Sequence, residues 1–166
     1  MVILGIDPGI ATVGYGVVRY QNNSFSVIQY GVIKTAAGLP LSTRLLEISN
    51  DLVTLIDTFK PDCAAVEELF FTTNQKTAIQ VAQGRGVVLL ECRRKQVPLY
   101  EYTPLQVKQA VVGYGKAEKK QVMDMMRRIL GLERIPKPDD EADALAVAIC
   151  HGHSSGAQGL RVDNST

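Results

Sequence analysis

The sequence predicts an α/β fold in which a five-stranded mixed sheet carries helices on both faces. Short apolar runs that end at turn residues indicate strands, and an apolar repeat of three and four residues from Leu41 onward indicates helices. The segments follow in the order three strands, helix, strand, helix, strand and further helices, which predicts a meander joined to parallel strands. We expect one domain over residues 1–153 and a flexible tail over residues 154–166.

The first three predicted strands form an antiparallel meander. Residues 2–7 are an apolar run that ends at the turn Pro8-Gly9. Two further strands, over residues 14–20 and 25–34, are joined by the polar residues 21–24. Neighbouring strands with so short a connection are expected to pair.

A change of apolar period marks the first helix, which Pro61 ends. Its apolar side chains recur at helical spacing at Leu45, Ile48, Leu52 and Phe59. The rest of the chain is predicted to form a strand, a helix, a strand and three helices over residues 64–67, 74–95, 97–102, 104–112, 117–130 and 139–151.

The net charge of +1 conceals a basic central segment. Residues 76–138 contain 13 Lys and Arg against 5 Asp and Glu, whereas residues 1–75 contain 4 against 7 and residues 139–166 contain 1 against 5. A segregated basic surface favours a polyanionic partner such as nucleic acid. A solvated lysine-rich face is the commoner explanation of such a run taken alone.

Cysteine usage and hydropathy predict a cytoplasmic protein with no membrane partner. Cys63, Cys92 and Cys150 are widely separated and lack the spacing of metal ligands, so we expect them to be reduced and buried. No apolar run approaches the roughly 20 residues that span a bilayer, and no secretory signal pattern begins the sequence.

Four acidic residues form the candidate catalytic site. Asp7 ends the first predicted strand and Glu67 ends the fourth, so parallel neighbours would bring both carboxylates to one edge of the sheet. Asp140 and Asp143 lie one helical turn apart and share a helix face. Four carboxylates with no lysine or arginine among them would repel one another, and Mg²⁺ or Mn²⁺ is the simplest means of holding them. Two such ions can assist phosphodiester hydrolysis.

These acids also have ordinary structural explanations. Asp7 before Pro8-Gly9 suits a turn, and acids are common in the first turn of a helix, as at Asp139, Asp140 and Glu141. The two histidines at the end of the last predicted helix, His151 and His153, are a weak candidate for a metal pair.

Five segments match, in order and with appropriate spacing, the motifs of one known family. They are Leu4-Gly5-Ile6-Asp7-Pro8-Gly9 with Gly14-Tyr15-Gly16, Ala64-Ala65-Val66-Glu67-Glu68-Leu69-Phe70, Gln106-Val107-Lys108-Gln109, Val112-Gly113-Tyr114-Gly115-Lys116-Ala117-Glu118-Lys119 and Ala142-Asp143-Ala144-Leu145-Ala146. Through them the chain resembles RuvC, the family of bacterial Holliday junction resolvases in the RNase H-like superfamily. The resemblance extends from Val2 to about His153 and implies an RNase H-like fold.

The resemblance implies roles for individual residues. It makes the four acids metal-binding catalytic residues, and it makes Lys108 and Lys119 contacts to DNA or to transition-state charge. Phe70 matches an aromatic residue that contacts unstacked bases at the centre of the junction. Lys116 and Lys120 lie in the same basic segment and are candidates for phosphate contacts.

The resemblance also implies a homodimeric endonuclease that resolves four-way DNA junctions in recombination and repair. Paired symmetric nicks would leave 5′-phosphate and 3′-hydroxyl ends, with Mg²⁺ as cofactor, Mn²⁺ also supporting activity, and two ions per site. RuvA and RuvB are the expected partner proteins. The helix over residues 74–95 is a candidate dimer interface because Ala78, Ala82 and Gly86 permit close approach.

Three alternative functions are open at this point. One is a related RNase H-like nuclease that acts on RNA, because carboxylates and charge do not distinguish the two sugars. The second is a fragment of an actin-like ATP-binding phosphotransferase, whose fold shares the strand-Asp-turn opening. The third is a junction-binding protein without catalysis, which would leave the four acids without a purpose.

Because Asp139 and Asp140 are adjacent, either could be the third catalytic acid. The resemblance and the three-residue spacing to Asp143 favour Asp140, but Asp139, four residues before Asp143, also shares its face. Because Pro138 disfavours helical geometry before it, Asp139 is predicted to be the N-cap and to accept backbone N–H bonds. The sequence therefore predicts Asp140 as the catalytic residue.

Overall fold

The computed structural model describes residues 1–69 and 75–154, with the side chains of residues 75 and 76 left out. Every predicted strand and helix is present, with ends that differ by a few residues. Along the described residues the order is β1 (Val2–Asp7), β2 (Thr12–Gln21), β3 (Ser24–Lys34), α1 (Leu41–Phe59), β4 (Cys63–Glu67), α2 (Gln75–Arg94), β5 (Leu99–Tyr102), α3 (Pro104–Val112), α4 (Lys119–Ile129) and α5 (Asp139–Ser154).

The five strands form one mixed sheet in the order β3-β2-β1-β4-β5. The meander β1-β2-β3 is antiparallel, whereas β4 runs parallel to both β1 and β5. Ile6 pairs with Val66, so Asp7 and Glu67 follow side by side at the carboxyl ends of neighbouring parallel strands. The condition for the two carboxylates to share one edge of the sheet, that β1 and β4 are parallel neighbours, is therefore met.

Alternate residues of the strands face two separate cores. On β1, Leu4 and Ile6 pack with α1 and α2, whereas Ile3 packs with α3, α4 and α5 on the opposite face. The same alternation places Asp7 on the α5 face of β1 and Glu67 on the α5 face of β4. Helices therefore cover both faces of the sheet, as predicted.

Helix α5 lies directly against the sheet because glycines remove the side chains between them. A Cβ atom added at Gly5 would come within 2.0 Å of the Ala144 carbonyl oxygen. One added at Gly14, the partner of Asp7 across β1 and β2, would come within 2.0 Å of the Asp140 carbonyl oxygen. This close approach fixes the first turn of α5 over the end of β1.

Capping interactions position α3 and α4 beside the same edge. Thr103 and Gln106 form a reciprocal cap at the start of α3, and Gly113 ends that helix with a φ of 94°. At the start of α4, the Glu118 backbone N–H donates to Gln121 Oε1 at 2.8 Å. Lys119 is consequently the first residue of α4 and projects from its N-terminal turn.

The three cysteines are buried and free, as predicted. Within residues 1–69 and 75–154, the structure contains no helix that combines the length and the apolar character of a membrane span.

Candidate active site

Carboxylates from three elements meet where β1 and β4 end. Burial raises the pKa of Asp7 to about 8, and the negative charges of Asp143, Asp140 and Glu67 act in the same direction. Burial also raises the pKa of Glu67, with a further contribution from Asp143. Asp7, Glu67, Asp140 and Asp143 are therefore close enough for the charges of the other three to raise the pKa of the partly buried Asp7.

Lys119 lies among these acids, contrary to the expectation that they converge without a lysine. Its Nζ donates to Asp143 Oδ2 at 3.0 Å and is 3.6 Å from Asp139 Oδ2. Burial lowers the pKa of Lys119, but its contacts with Asp143 and Asp139 outweigh this and leave the pKa raised. Because α4 begins at Lys119 opposite the first turn of α5, the ammonium group reaches Asp143 across the gap between the helices.

The pKa of Asp143 reflects the balance between its burial and this lysine. Burial raises the pKa, the hydrogen bond and charge of Lys119 lower it, and the neighbouring Asp139 and Asp140 raise it again, with a net increase. Lys119 neutralises part of the negative charge at Asp143. The charge of Lys119 also lowers the pKa values of Asp7 and Glu67, which nevertheless stay raised.

The donor set fits a hard divalent cation. Asp7, Glu67 and Asp143 offer oxygen atoms only, which Mg²⁺ and Mn²⁺ prefer. Burial, followed by repulsion from neighbouring acids, raises the pKa values of these groups, and a bound cation would stabilise their charged forms. As the described side chains stand, no three Asp, Glu, His or Cys residues are already gathered closely enough to hold an ion. The residues thus fit the chemistry of such a site, although Asp143 Oδ2 accepts a hydrogen bond from Lys119 in this structure.

The two adjacent aspartates have different surroundings. Asp140 is partly buried above Gly14 and contributes to the raised pKa of Asp7. Asp139 is exposed, pairs with Lys137 and Lys119, and has a lowered pKa because of the hydrogen bond from Lys137. The predicted N-cap role of Asp139 is wrong. Asp139 is the first residue of the helix and not the residue before it, and its carboxylate pairs with the two lysines.

A cavity of about 270 Å³ opens beside the acids, between α3, α4 and α5. Lys108 and Lys119 lie at its edge with Glu67 and Asp143, and the charge of Lys108 lowers the pKa of Glu67. The remaining lining is apolar and consists of Pro104, Val107, Val122, Met123 and Ala146. Two of the lysines that were predicted to contact DNA, Lys108 and Lys119, therefore lie next to the acids.

The other predicted contacts lie farther out or outside the described residues. Lys116 and Lys120 are exposed and do not line the cavity. Phe70 lies outside the described residues, so its proposed contact with unstacked bases stays a prediction from the sequence.

Two buried polar residues that the sequence analysis missed hold the loop after Asp7. Thr35 Oγ1 donates to the Ile10 carbonyl oxygen at 2.5 Å, and Arg44 Nε donates to Thr35 Oγ1 at 2.8 Å. Both side chains are buried. No local spacing signals this chain of bonds, because it joins residues that are far apart in the sequence.

His151 is a packing residue of the core. Its Nδ1 is 2.7 Å from Tyr102 Oη, and its ring packs against Tyr100 at a centroid distance of 4.4 Å. Burial lowers the pKa of His151 to about 4, so the ring is neutral near pH 7. His153 instead contacts the Ala110 carbonyl oxygen at 2.9 Å, so the two histidines serve separate contacts.

Comparisons with known proteins agree on one family. The family model described as "Crossover junction endodeoxyribonuclease RuvC" matches residues 3–151. The protein of that name from Ruminiclostridium cellulolyticum is 58% identical over 154 residues, which cover 93% of each chain.

Two solved structures extend the agreement to the fold. The Thermus thermophilus RuvC structure is 37% identical, covers 98% of this chain and 100% of its own, and superposes with a TM-score of 0.91. T. thermophilus RuvC in complex with a Holliday junction substrate gives a TM-score of 0.93 at 37% identity, with 98% and 99% covered. These matches confirm the predicted RNase H-like fold, and with the family match over residues 3–151 they show that the chain belongs to the RuvC family of crossover junction endodeoxyribonucleases.

Proposed function

We propose that this protein cuts four-way DNA junctions as a divalent-metal-dependent endonuclease, with Asp7, Glu67, Asp140 and Asp143 as its catalytic acids. The observation that carries the proposal is the meeting of partly buried carboxylates from β1, β4 and α5 at one edge of the sheet. The complex of T. thermophilus RuvC with a Holliday junction substrate supports the choice of substrate.

In this proposal the four acids bind a cation, and its positive charge offsets the repulsion between their carboxylates. A divalent cation bound by these oxygens would supply Lewis acid chemistry to a phosphodiester and to the attacking water. We propose Mg²⁺ as the ion, with Mn²⁺ also supporting activity, because the donors are exclusively oxygen atoms. We further propose two ions per site, since a pair of ions can activate the attacking water and stabilise the leaving oxygen. The expected products carry a 5′-phosphate and a 3′-hydroxyl.

Lysines supply the positive charge that the substrate needs. Lys108 and Lys119, next to Glu67 and Asp143, are placed to contact the phosphate that is cut or its neighbours. A cation held by Asp143 would compete with Lys119 for Oδ2, the oxygen that accepts the hydrogen bond of the lysine. The exposed Lys116 and Lys120 contribute phosphate contacts farther from the acids.

A homodimer would supply the two sites that paired nicks require. The outer face of α2 supports this state, because Ile79 and Leu90 are 59% and 53% exposed and a Cβ atom at Gly86 would meet nothing within 4 Å. Exposed apolar side chains beside an open glycine suit close packing of two helices. By family resemblance we also propose RuvA and RuvB as partners, and Phe70 as the aromatic contact at the junction centre.

The test of this function is a cleavage assay with three substrates of equal length: a synthetic four-way DNA junction, a linear DNA duplex and an RNA duplex. Each is incubated with Mg²⁺, with Mn²⁺ and with a chelator. We expect paired nicks in the four-way junction with either metal and none with the chelator. Preferential cutting of the RNA duplex, or no cutting of any substrate, would overturn the proposal.

A further inference from the structure

Arg44 lies in the first turn of α1 and is only 8% exposed. Its Nε donates to Thr35 Oγ1 at 2.8 Å, and Thr35 Oγ1 donates in turn to the Ile10 carbonyl oxygen. The N–H groups on Nη1 and Nη2 have no hydrogen-bond acceptor among the described residues. Within residues 1–69 and 75–154, no Asp or Glu forms an ion pair with Arg44.

A buried charge of this kind needs an explanation. Burial removes the water that solvates a cation, and this cost is ordinarily offset by a carboxylate close to it. The bond to Thr35 does not require a charge, because a neutral N–H donor would hold the same hydroxyl group. The positive charge of Arg44 therefore favours an anion that binds from outside the fold.

The place of Arg44 in the fold suits the phosphate backbone of the substrate. Thr35 directly follows β3, which ends at the same edge of the sheet as β1 and Asp7. In the sheet, β3 and β1 are two strand spacings apart, about 10 Å. Lys108 and Lys119 lie on the other side of the acids, beside α3 and α4. A DNA strand that crosses this edge would meet cations on both sides of the acids.

We propose that Arg44 binds a backbone phosphate of the DNA strand that is cut, on the β3 side of the acids. The proposal rests on the proposed junction cleavage and adds a phosphate contact to it. Because Thr35 already fixes Nε, the two Nη groups form an ordered planar fork that matches two phosphate oxygens. The start of α1 favours the same ligand, since its first turn has neither an acidic residue nor a side-chain cap.

This contact would also act on the loop that follows Asp7. The bonds from Arg44 through Thr35 end at the carbonyl group of Ile10, in the loop between β1 and β2. A phosphate on the outer N–H groups would restrict the guanidinium group and, through Thr35, this loop. Binding of the strand and placement of Asp7 would thus be linked by two hydrogen bonds.

The first arm of the test compares Arg44→Gln with the wild type in junction binding over a series of salt concentrations, without divalent metal. Glutamine can still donate to Thr35, but it lacks the charge and the fork. We expect about tenfold weaker binding and a plot of log affinity against log salt that is less steep by about 0.9, as for the loss of one phosphate contact. Wild-type affinity and slope in Arg44→Gln would overturn the proposal.

Arg19→Gln is the matched control, because it makes the same change of charge far from the acids. Arg19 is exposed on β2 and pairs with Val2, at the opposite end of β1 from Asp7. This variant should keep the wild-type affinity and slope. An equal loss in both variants would show a general effect of net charge and overturn the assignment to Arg44.

The second arm separates a phosphate contact from a structural role. Because the charge of Arg44 has no carboxylate partner in the described fold, Arg44→Gln should be at least as stable to urea as the wild type while it binds the junction more weakly. A variant that is less stable, yet binds the junction with wild-type affinity once folded, would show that the charge serves the fold alone.

The third arm locates the phosphate. Single phosphates near the cut are replaced in turn by neutral methylphosphonates on the strand that is cut. We expect one position to weaken binding by the wild type about tenfold and binding by Arg44→Gln less than about twofold, since the variant has already lost this contact. Equal sensitivity of the two proteins at every position would overturn the inference, whereas absence of cleavage by the wild type with Mg²⁺ or Mn²⁺ would instead overturn the proposed function.

Discussion

At Asp7, burial and the charges of neighbouring acids act in the same direction. The pKa of about 8 lies above the ordinary value of 3.8, so the metal-free fold favours the protonated carboxyl group. As the pH rises from about 4 to about 8, Asp7 ionises in the unfolded chain but stays largely protonated in the metal-free fold, so the stability of that fold decreases. A divalent cation would remove this penalty, which links the stability of the fold to occupation of the proposed site.

Asp139 and Asp140 give a prediction at the residue scale. We expect Asp140→Asn to reduce metal-dependent junction cleavage by more than about a hundredfold, because the loss of a ligand exceeds the 10- to 100-fold effect of losing an outer partner. Asp139→Asn should keep most of the activity, since Asp139 pairs with lysines at the surface. Initial cleavage rates with Mg²⁺ measure both variants, and the reverse order of activities would assign the third acid to Asp139.

His151 gives a prediction about pH. Because its folded-state pKa of about 4 lies below the ordinary 6.5, His151 stabilises the fold above pH 6.5 and loses this contribution as the pH falls toward 4. Replacement by glutamine, which can still contact Tyr102, removes the titration. Between about pH 7 and about pH 5, we expect the free energy of unfolding of the wild type to fall by about 2 kcal/mol more than that of His151→Gln. Urea titrations measure this, and parallel pH profiles would contradict it.

At the scale of elements, α2 packs on the loop that follows Asp7. A Cβ atom added at Gly84 would come within 2.4 Å of the Gly9 carbonyl oxygen, so the helix touches the loop backbone directly. On the other side, the bonds from Arg44 through Thr35 hold the Ile10 carbonyl. The loop is therefore fixed between α1 and α2.

Gly84→Ala tests this contact. We expect it to lower the free energy of unfolding by about 1–3 kcal/mol, because the methyl group forces α2 away from the loop. Gly38→Ala is the matched control, since a Cβ atom at Gly38 would meet nothing within 4 Å. Chemical denaturation compares the two variants. Equal stabilities would contradict the prediction, because they would show that the loop at Gly9 moves to accept the methyl group at no cost in free energy.

The outer face of α2 gives the second prediction at this scale. Leu90→Glu should convert the proposed dimer to a monomer, because a charged side chain would have to be buried between the two helices. Leu105→Glu, at a side chain that is 55% exposed on α3, makes the same chemical change away from this face and should leave the dimer intact. Sedimentation measures both variants, and a dimeric Leu90→Glu protein would locate the interface elsewhere.

At the scale of the whole molecule, the sequence predicted the architecture because its signals are local. The strands next to the acids are short apolar runs, and Pro61 and the turn at Pro8-Gly9 end their elements sharply. The expectation that Asp7 and Glu67 share an edge depended on the adjacency of β1 and β4, which the fold supplies. Local patterns therefore sufficed for the elements, whereas the choice of the four acids also depended on the resemblance to the RuvC family.

The remaining features depend on how the elements pack. The contact of Lys119 with Asp143 joins the starts of two helices, and no spacing in the sequence signals it. Apolar periodicity marks Ile79 and Leu90 as members of α2, but it does not reveal that they face outward. The cavity between α3, α4 and α5 likewise arises from packing alone.

The most direct test of the central claim measures cleavage and binding together for Asp7→Asn, Glu67→Gln, Asp140→Asn and Asp143→Asn. Each variant is given the same four-way junction with Mg²⁺, and the melting temperature is measured without metal. We expect each to cut more than about a hundredfold more slowly while binding the junction within a few fold of the wild type, since the amides keep the shape but lose the charge that holds the cation. Without metal, Asp7→Asn should melt at the wild-type temperature or higher, because it removes a destabilised charge. Wild-type cleavage by any one of them, or loss of folding together with junction binding, would contradict the claim that these four carboxylates form the metal-dependent catalytic centre.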